Sequence, residues 1–504
     1  MVDTLIQGKT RSRREFCSFY TESDPILTYM VNKLMLTDGD SVLEPCAGDG
    51  VFIEKILNSQ KENFTIDAVD LNPKAVLGLK EKFNNKNVRV WQADTLLDFK
   101  TNLFDQDNYL YSKIIGNPPY GAWQNQEKKE LLKQIYGGYV KETYTLFLRK
   151  CVDLLETNGR LVFIIPDTFL ALHMHKDSRE KILKDTKIEE ILLIPSNFFP
   201  GVNFGYSNLC IISLIKSSEN KENKIKIVNI KETIDSLYSL AGGDYSVADY
   251  LQIVSQDEIL ESEDLSFLIG GDTKIRELIR KTSLKLGDTA DCVTGFYSGD
   301  NKKYIVARDL YVKGSKNYAL VTLNDTEFNF LEEQNLLDGL QKGKKYVPFL
   351  KSANSAFTKE TEWFLRWDKK TVEYYKKSKT SRFQNSKFYF RDGIGVPMIK
   401  SAHVHAVRLE NRLFDQSVVG IFPREKKYLN YLLAFLNSDV CGQLIKVINH
   451  TANNSANYLK KLPIIIDDKF LPEIDEIVRQ ILIKDSDGIN LDRINKIFNR
   501  IYGI

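Results

Sequence analysis

Cysteine is scarce and scattered in this 504-residue chain. Its six copies, at positions 17, 46, 151, 210, 292 and 441, form no Cys-x-x-Cys pair. Neither a disulfide framework nor a cysteine-rich zinc site is expected, and a reducing compartment suits the chain. Long apolar runs are missing too: none approaches the ~20 residues that cross a bilayer. The opening Met-Val-Asp-Thr-Leu-Ile-Gln-Gly-Lys lacks the apolar core of a signal peptide. Net charge is only +3, so any nucleic-acid surface must be local. Five histidines give two His-x-His pairs, His173/His175 and His403/His405, without acidic or cysteine partners at ligand spacing, so no metal is expected. These absences point to a cytoplasmic protein, free of membrane, whose function lies in local motifs.

What is present is an alternation of strand and helix signals. Residues 41–44, 65–70, 88–91, 113–116, 161–165, 191–194 and 209–215 read as strands, with helical spacing over 51–57 and 73–83. That rhythm predicts an α/β fold with an open, mostly parallel sheet, which binds ligands beyond the carboxyl ends of its strands. The last of these strands is expected to close the series. Residues 217–224 (SSENKENK) read as a surface loop. The rhythm fades after about 265, so two domains are expected, 1–265 and 266–504, the second of mixed α+β character.

Motifs fall at successive strand ends. Glu44-Pro45-Cys46-Ala47-Gly48-Asp49-Gly50 follows the first strand, where Gly48 and Gly50 permit a tight turn and close approach to a ligand. No Lys-Ser/Thr follows, which excludes a Walker A loop. Asp70 ends the second strand and can bind a ribose diol. Asp94 ends the third and can accept from an adenine amino group, or each aspartate can simply cap the next turn. Asn117-Pro118-Pro119-Tyr120 ends the fourth. The Asn117 amide and the Pro118 carbonyl can both accept from an amino group, and Tyr120 offers a flat face. The same tetrapeptide also serves as a plain turn.

In this order the motifs resemble those of S-adenosylmethionine-dependent methyltransferases, specifically the γ (TaqI-type) class of N6-adenine DNA methyltransferases, over roughly residues 15–216. Phe19-Tyr20-Thr21 resembles the motif that precedes the glycine loop in that class. The resemblance implies a class I methyltransferase sheet and a cofactor set of Tyr20, Thr21, Glu44, Cys46, Gly48, Gly50, Asp70, Leu71, Asp94, Asn117, Pro119 and Phe147. Phe147 could equally be core. Asn117, Pro118, Pro119 and Tyr120 are implied as the catalytic corner. Phe199, with Phe198 as its neighbour, is implied as a second aromatic against a flipped adenine.

The second half carries stretches, 294–304, 389–394, 432–438 and 458–464, that look like those of TaqI-like target-recognition domains. Lys376, Lys377, Lys379, Arg382, Lys387 and Arg391 interleave with six aromatics and no acid between residues 374 and 391. Such a run can hold DNA phosphates, or be a solvated basic face. The reading is thus a site-specific methyltransferase acting on adenine in double-stranded DNA. It is expected to act as a monomer in a restriction-modification or related defence system, with a separate endonuclease where one exists. Two other readings stand beside it. One is methylation of protein glutamine, whose amide is also a planar amino group. The other is a DNA-binding module with a decayed catalytic domain.

Overall fold

The computed structural model describes residues 23–59, 63–84, 87–99, 110–121, 124–195, 198, 208–230, 233–328, 336–340, 343–399, 404–449, 453–484 and 489–504. The chain divides into two compact units, Met1–Gly270 and Gly271–Ile504.

In the first unit, helix α1 (Asp24–Leu34) leads into β1 (Ser41–Glu44), α2 (Val51–Leu57), β2 (Thr65–Asp70), α3 (Pro73–Lys82), β3 (Val88–Gln92) and β4 (Tyr111–Gly116). Then come α4 (Gln126–Tyr136), α5 (Thr143–Leu154), β5 (Leu155–Pro166), α6 (Lys176–Asp185), β6 (Thr186–Ile194), β7 (Leu209–Lys216), β8 (Lys224–Asn229) and β9 (Tyr250–Ser255). The nine strands form one sheet in the order β3-β2-β1-β4-β5-β7-β6-β8-β9. The pairs β1/β2, β2/β3, β1/β4 and β4/β5 are parallel, while β7 runs antiparallel between β5 and β6. The chain order reverses at β1, which is flanked by β2 and β4. A crevice at the carboxyl ends of β1 and β4 is therefore the place this topology offers a ligand.

The sheet does not close at β7. Lys224-Ile-Lys-Ile alternates so that Ile225 and Ile227 enter the core, and β8 then pairs with β9. Residues 217–223 form the expected surface loop between β7 and β8, with Ser218, Glu219, Lys221 and Glu222 exposed and one anchor turned inward. Asn220 is buried, and its amide donates to Leu183 O (2.7 Å) and Lys184 O (2.8 Å), capping carbonyls at the end of α6 that lack intrahelical partners. The division between units lies at Gly270–Gly271 rather than at 265–266, because Leu265, Phe267 and Ile269 are buried in the first core.

Arg179 fixes that end of the unit. It is fully buried, and its guanidinium donates to the carbonyls of Phe169, Leu172, Asp264 and Leu265 at 2.8–2.9 Å. Asp67 does similar work inside the sheet. From β2 it accepts from Arg89 (2.7 and 2.9 Å) and Trp91 Nε1 (3.0 Å) on β3, and from the Tyr111 hydroxyl (2.5 Å) on β4.

The second unit is α+β. Strands β10 (Ala290–Thr294), β11 (Ile305–Ala307), β12 (Ala319–Leu320), β13 (Tyr346–Leu350), β14 (Trp363–Arg366), β15 (Gly393–Pro397), β16 (Val407–Leu409), β17 (Leu413–Phe414) and β18 (Val418–Pro423) build two sheets. One has the order β10-β18-β15-β16, the other β12-β11-β14-β13-β17. Trp367 is fully buried at the centre, stacked on Phe383 (centroids 5.8 Å apart) and edge-on to Phe296. Among the described residues no single helix is long and apolar enough to cross a membrane.

Candidate cofactor and target site

Glu44 is the last residue of β1 and is only 2% exposed. The Ile53 N–H donates to its carboxyl group, while Oε2 has no hydrogen-bond partner among the described residues. Burial first, and the charge of Asp70 next, push this acid well above the usual carboxylate range. The native carboxyl thus keeps its proton at pH values where the unfolded chain has released it. The stability this provides is complete below about pH 4.3 and is lost as pH rises from there through the native pKa. Glu44→Gln cannot ionise. In cofactor-free protein it should melt higher than wild type at pH 8, with the gap closing towards pH 4, as paired thermal melts would show.

The loop after β1 is held by its own backbone and by β2. Ala47 N donates to Val69 O (2.9 Å), Gly50 N to Ala47 O (2.8 Å) and Gly48 N to Asp70 Oδ2 (2.8 Å). Asp70 Oδ1 accepts from Asn72 N (2.7 Å). Burial raises the Asp70 pKa, and these backbone donors work against that rise. Leu71, next in line, is half exposed. Thr95, buried beyond β3, donates to Pro45 O (2.5 Å) and ties a third strand end to the loop.

Gly48 and Gly50 both take positive φ, +52° and +72°. At Gly50 packing alone already requires glycine. A β-carbon there would sit 2.6 Å from Phe83 Cε2 and 2.7 Å from Leu79 Cδ2. Gly50→Ala should therefore cost about 2 kcal/mol or more, from left-handed backbone plus overlap, seen as a lower denaturant midpoint.

Asp94 is already engaged. Its Oδ1 accepts from Leu96 N (3.0 Å), and its Oδ2 takes an ion pair from Lys128 on α4. Any further donor meeting this carboxylate has to share it with Lys128, which no local motif singles out.

The Asn117–Tyr120 corner follows β4 directly. Asn117 is partly buried, and its backbone carbonyl accepts from Cys46 Sγ (3.3 Å), which joins the corner to the loop after β1. Burial raises the Cys46 pKa well above the ordinary thiol range, so it stands as a neutral donor. The Pro119 carbonyl is taken by Thr143 Oγ1 (2.5 Å). No donor among the described residues reaches the Pro118 carbonyl, which leaves it open as an acceptor. Tyr120 is buried, with its hydroxyl 3.4 Å from Ile164 O and its ring edge-on to Tyr144 (6.2 Å, 90°).

Behind the corner, the Tyr144 hydroxyl meets Thr168 Oγ1 (3.1 Å) and His175 Nε2 (3.0 Å). Burial, aided by Arg179, lowers the His175 pKa to about 3, so the ring is neutral. This supporting row was visible in the sequence only as one half of a His-x-His pair. Phe147 is buried in the core on α5. Phe198 is also buried, whereas Phe199, Tyr20 and Thr21 lie outside the described residues.

In the second unit the interleaved stretch separates into two faces. Lys376, Lys377, Lys379, Arg382, Lys387 and Arg391 are all exposed. Tyr375, Phe388 and Tyr389 are buried in the core, with Phe383 and Phe390 packed against it. Most of the aromatics thus build the fold, while the cations and Tyr374 face outward. Lys376 is paired with Asp338 (2.7 Å). The Thr294–Tyr304 loop is zipped to this stretch by Arg382 N to Tyr297 O (2.8 Å), Gln384 Nε2 to Gly295 O (3.0 Å) and Asn385 Nδ2 to Thr294 O (2.9 Å).

Comparison with known proteins agrees with this geometry. Residues 33–199 match the Eco57I restriction-modification methylase family. The chain is 26% identical over 363 residues to the type II methyltransferase M.AccI of Acinetobacter calcoaceticus, covering 68% of this chain and 63% of that protein. It is 24% identical over 488 residues to M.HincII of Haemophilus influenzae, covering 88% and 87%. Among solved structures, a nuclease-deletion mutant of the type ISP restriction-modification enzyme LlaGI, in complex with a DNA substrate mimic, shares the fold. Its TM-score is 0.59 at 13% identity, covering 92% of this chain and 47% of that one. A glycine loop beside a buried acid at the end of β1, a second carboxylate at the end of β2, a strand order that reverses between β1 and β4 and the match over residues 33–199 make the first unit an S-adenosylmethionine-dependent methyltransferase domain similar to the Eco57I restriction-modification methylases.

Proposed function

We propose that the whole chain is a site-specific DNA methyltransferase that methylates adenine N6 in double-stranded DNA. On this reading the first unit, through Gly270, carries catalysis and the second, from Gly271, reads the target. The protein acts in the cytoplasm as a monomer, beside a separate endonuclease where one exists. The observation that carries the reading is the Asn117-Pro118-Pro119-Tyr120 corner just after β4, hydrogen-bonded through Cys46 to the loop after β1.

Glu44, with its unmatched buried Oε2, suits the ammonium end of the cofactor, and Asp70 suits its ribose diol. Tyr20, Thr21, Cys46, Gly48, Gly50, Leu71, Asp94, Asn117, Pro119 and Phe147 complete the proposed cofactor set. S-adenosylmethionine supplies an electrophilic methyl group on sulfonium, which leaves as a neutral thioether. The chain's own part is to hold the amino group. The N6 lone pair is conjugated with the adenine ring and attacks poorly. Hydrogen bonds from the two N–H groups to Asn117 Oδ1 and the Pro118 carbonyl favour a pyramidal nitrogen whose lone pair can form the new N–C bond. The ammonium formed then releases one proton to solvent. Tyr120 and Phe199 are proposed to stack on the flipped base, offsetting part of the few kcal/mol that flipping costs. The exposed cations at 376–391 are proposed to meet phosphates.

Incubation of the protein with methyl-labelled cofactor and mixed-sequence duplex should place label in N6-methyladenine. Label in cytosine, or in protein glutamine instead of DNA, would overturn the proposal. A decayed domain would give no heat on cofactor titration.

A further inference from the structure

Between β11 and β12 the chain makes a short projecting loop. Its base is fixed. Val312 and Ser315 are buried, Ser315 N donates to Val312 O (3.0 Å) and Ser315 Oγ to Leu310 O (3.2 Å). Asp309 Oδ1 accepts from Tyr311 N (2.9 Å), and Gly314 turns the chain at φ +84°. At the tip, two large apolar side chains stand in water: Leu310 is 69% exposed and Tyr311 97%. A hydrogen-bonded loop that holds adjacent Leu and Tyr outward gains nothing from them in folding, because neither buries its apolar area.

The surroundings of the tip are cationic. Residues 302–317 hold Lys302, Lys303, Arg308, Lys313 and Lys316 against one acid, Asp309, and Arg308 is engaged by Asp309 and by Glu360 (2.8 Å each). Lys313 and Lys316 are exposed and make no ion pair among the described residues. An apolar tip followed in the same loop by the exposed ammonium groups of Lys313 and Lys316 suits a partner with flat apolar faces and dense negative charge. Stacked bases between phosphate strands are that partner.

We propose that Leu310 and Tyr311 form a wedge that stacks on or inserts between bases of the duplex, with Lys313 and Lys316 on flanking phosphates. This rests on the reading of the chain as a DNA methyltransferase. It adds a contact outside the basic 376–391 stretch.

The test uses the full chain and a pool of random-sequence duplex, with binding followed by fluorescence anisotropy across a salt series. Tyr311→Ala should weaken binding roughly tenfold, as loss of one base–aromatic stack does, with the salt slope unchanged. Tyr311→Trp should hold wild-type affinity. Lys313→Gln with Lys316→Gln should flatten the slope of log K against log salt by about 1.8, two phosphates' worth. Cofactor affinity should be the same in all variants, which excludes misfolding as the cause. Tyr311→Ala binding DNA like wild type overturns the wedge alone. So does a loss of self-association, seen by sedimentation, with DNA binding intact. A wild type that binds no duplex at low salt overturns the wedge and the methyltransferase reading together.

Discussion

Asn117→Ala should lower methyl transfer to DNA by about 10²–10³-fold, the loss typical of removing one preorganised hydrogen-bond partner of a developing charge. The variant keeps the backbone of the corner. The two prolines fix φ at 118 and 119, Thr143 still holds the Pro119 carbonyl, and Cys46 still donates to the backbone oxygen of residue 117. What goes is the side-chain acceptor. Glu44 and Asp70 stand on β1 and β2 and are untouched, so cofactor affinity should stay within a few-fold by calorimetry. Single-turnover transfer of labelled methyl measures the chemical step. Asn117→Asp, which keeps an acceptor oxygen at the same reach, should lose less than Asn117→Ala. If Asn117→Ala transfers at the wild-type rate, the corner is structural and the proposed chemistry is wrong.

Asp67→Ala should destabilise the protein by about 3 kcal/mol, read as a shift in the denaturant midpoint of the first unit. Asp67 is 1% exposed and lies within the sheet, well away from the strand ends. Its removal leaves the buried Tyr111 hydroxyl without its 2.5 Å acceptor, at about 1–3 kcal/mol. It also ends the Trp91 Nε1 bond and leaves a small void. The Arg89 contribution is small. That side chain is 58% exposed and can return to water, so the bidentate pair is close to a surface pair in value. Arg89→Ala should accordingly cost under about 1 kcal/mol, while Tyr111→Phe should recover part of the Asp67→Ala loss by deleting the stranded hydroxyl. Equal costs for Arg89→Ala and Asp67→Ala would show that the ion pair, and not the buried hydroxyl, governs the site.

How far these features could be read from sequence depends on the distance over which each is specified. The strands ending at Glu44, Asp70 and Gly116 are short apolar runs followed at once by polar or glycine residues, and local pattern suffices for them. Residues 155–160 are polar over Glu156-Thr-Asn, so the start of β5 was hidden, although Leu155 pairs with Tyr111. Strand β9 was missed because its outward residues, Leu251 and Ile253, are apolar on an edge and blur the alternation. The Asp94–Lys128 ion pair spans 34 residues and leaves no trace in local spacing. Gly50 was legible as a turn glycine, yet the side chains a β-carbon there would strike, Leu79 on α3 and Phe83 just after it, are distant in sequence. The interleaved cations and aromatics at 374–391 read as one phosphate-binding or solvated basic run. The structure places most of the aromatics around Trp367, because alternation of cation and ring is also the pattern of a half-buried surface.

The four carbonyls gathered by Arg179 also decide where this chain tolerates a break. Two of them, on Asp264 and Leu265, come from the last stretch of the first unit, and just beyond them Phe267 N donates to Leu170 O (2.9 Å) and Ser266 Oγ to Ala171 O (3.3 Å). A protease cut or an engineered stop at residue 265 removes Phe267 and Ile269 from the core and leaves the guanidinium's acceptors on a loose end. A methylase half prepared separately therefore has to run through Gly270, and a nick at 265–266 would report on the integrity of the first unit as sensitively as a substitution inside its sheet.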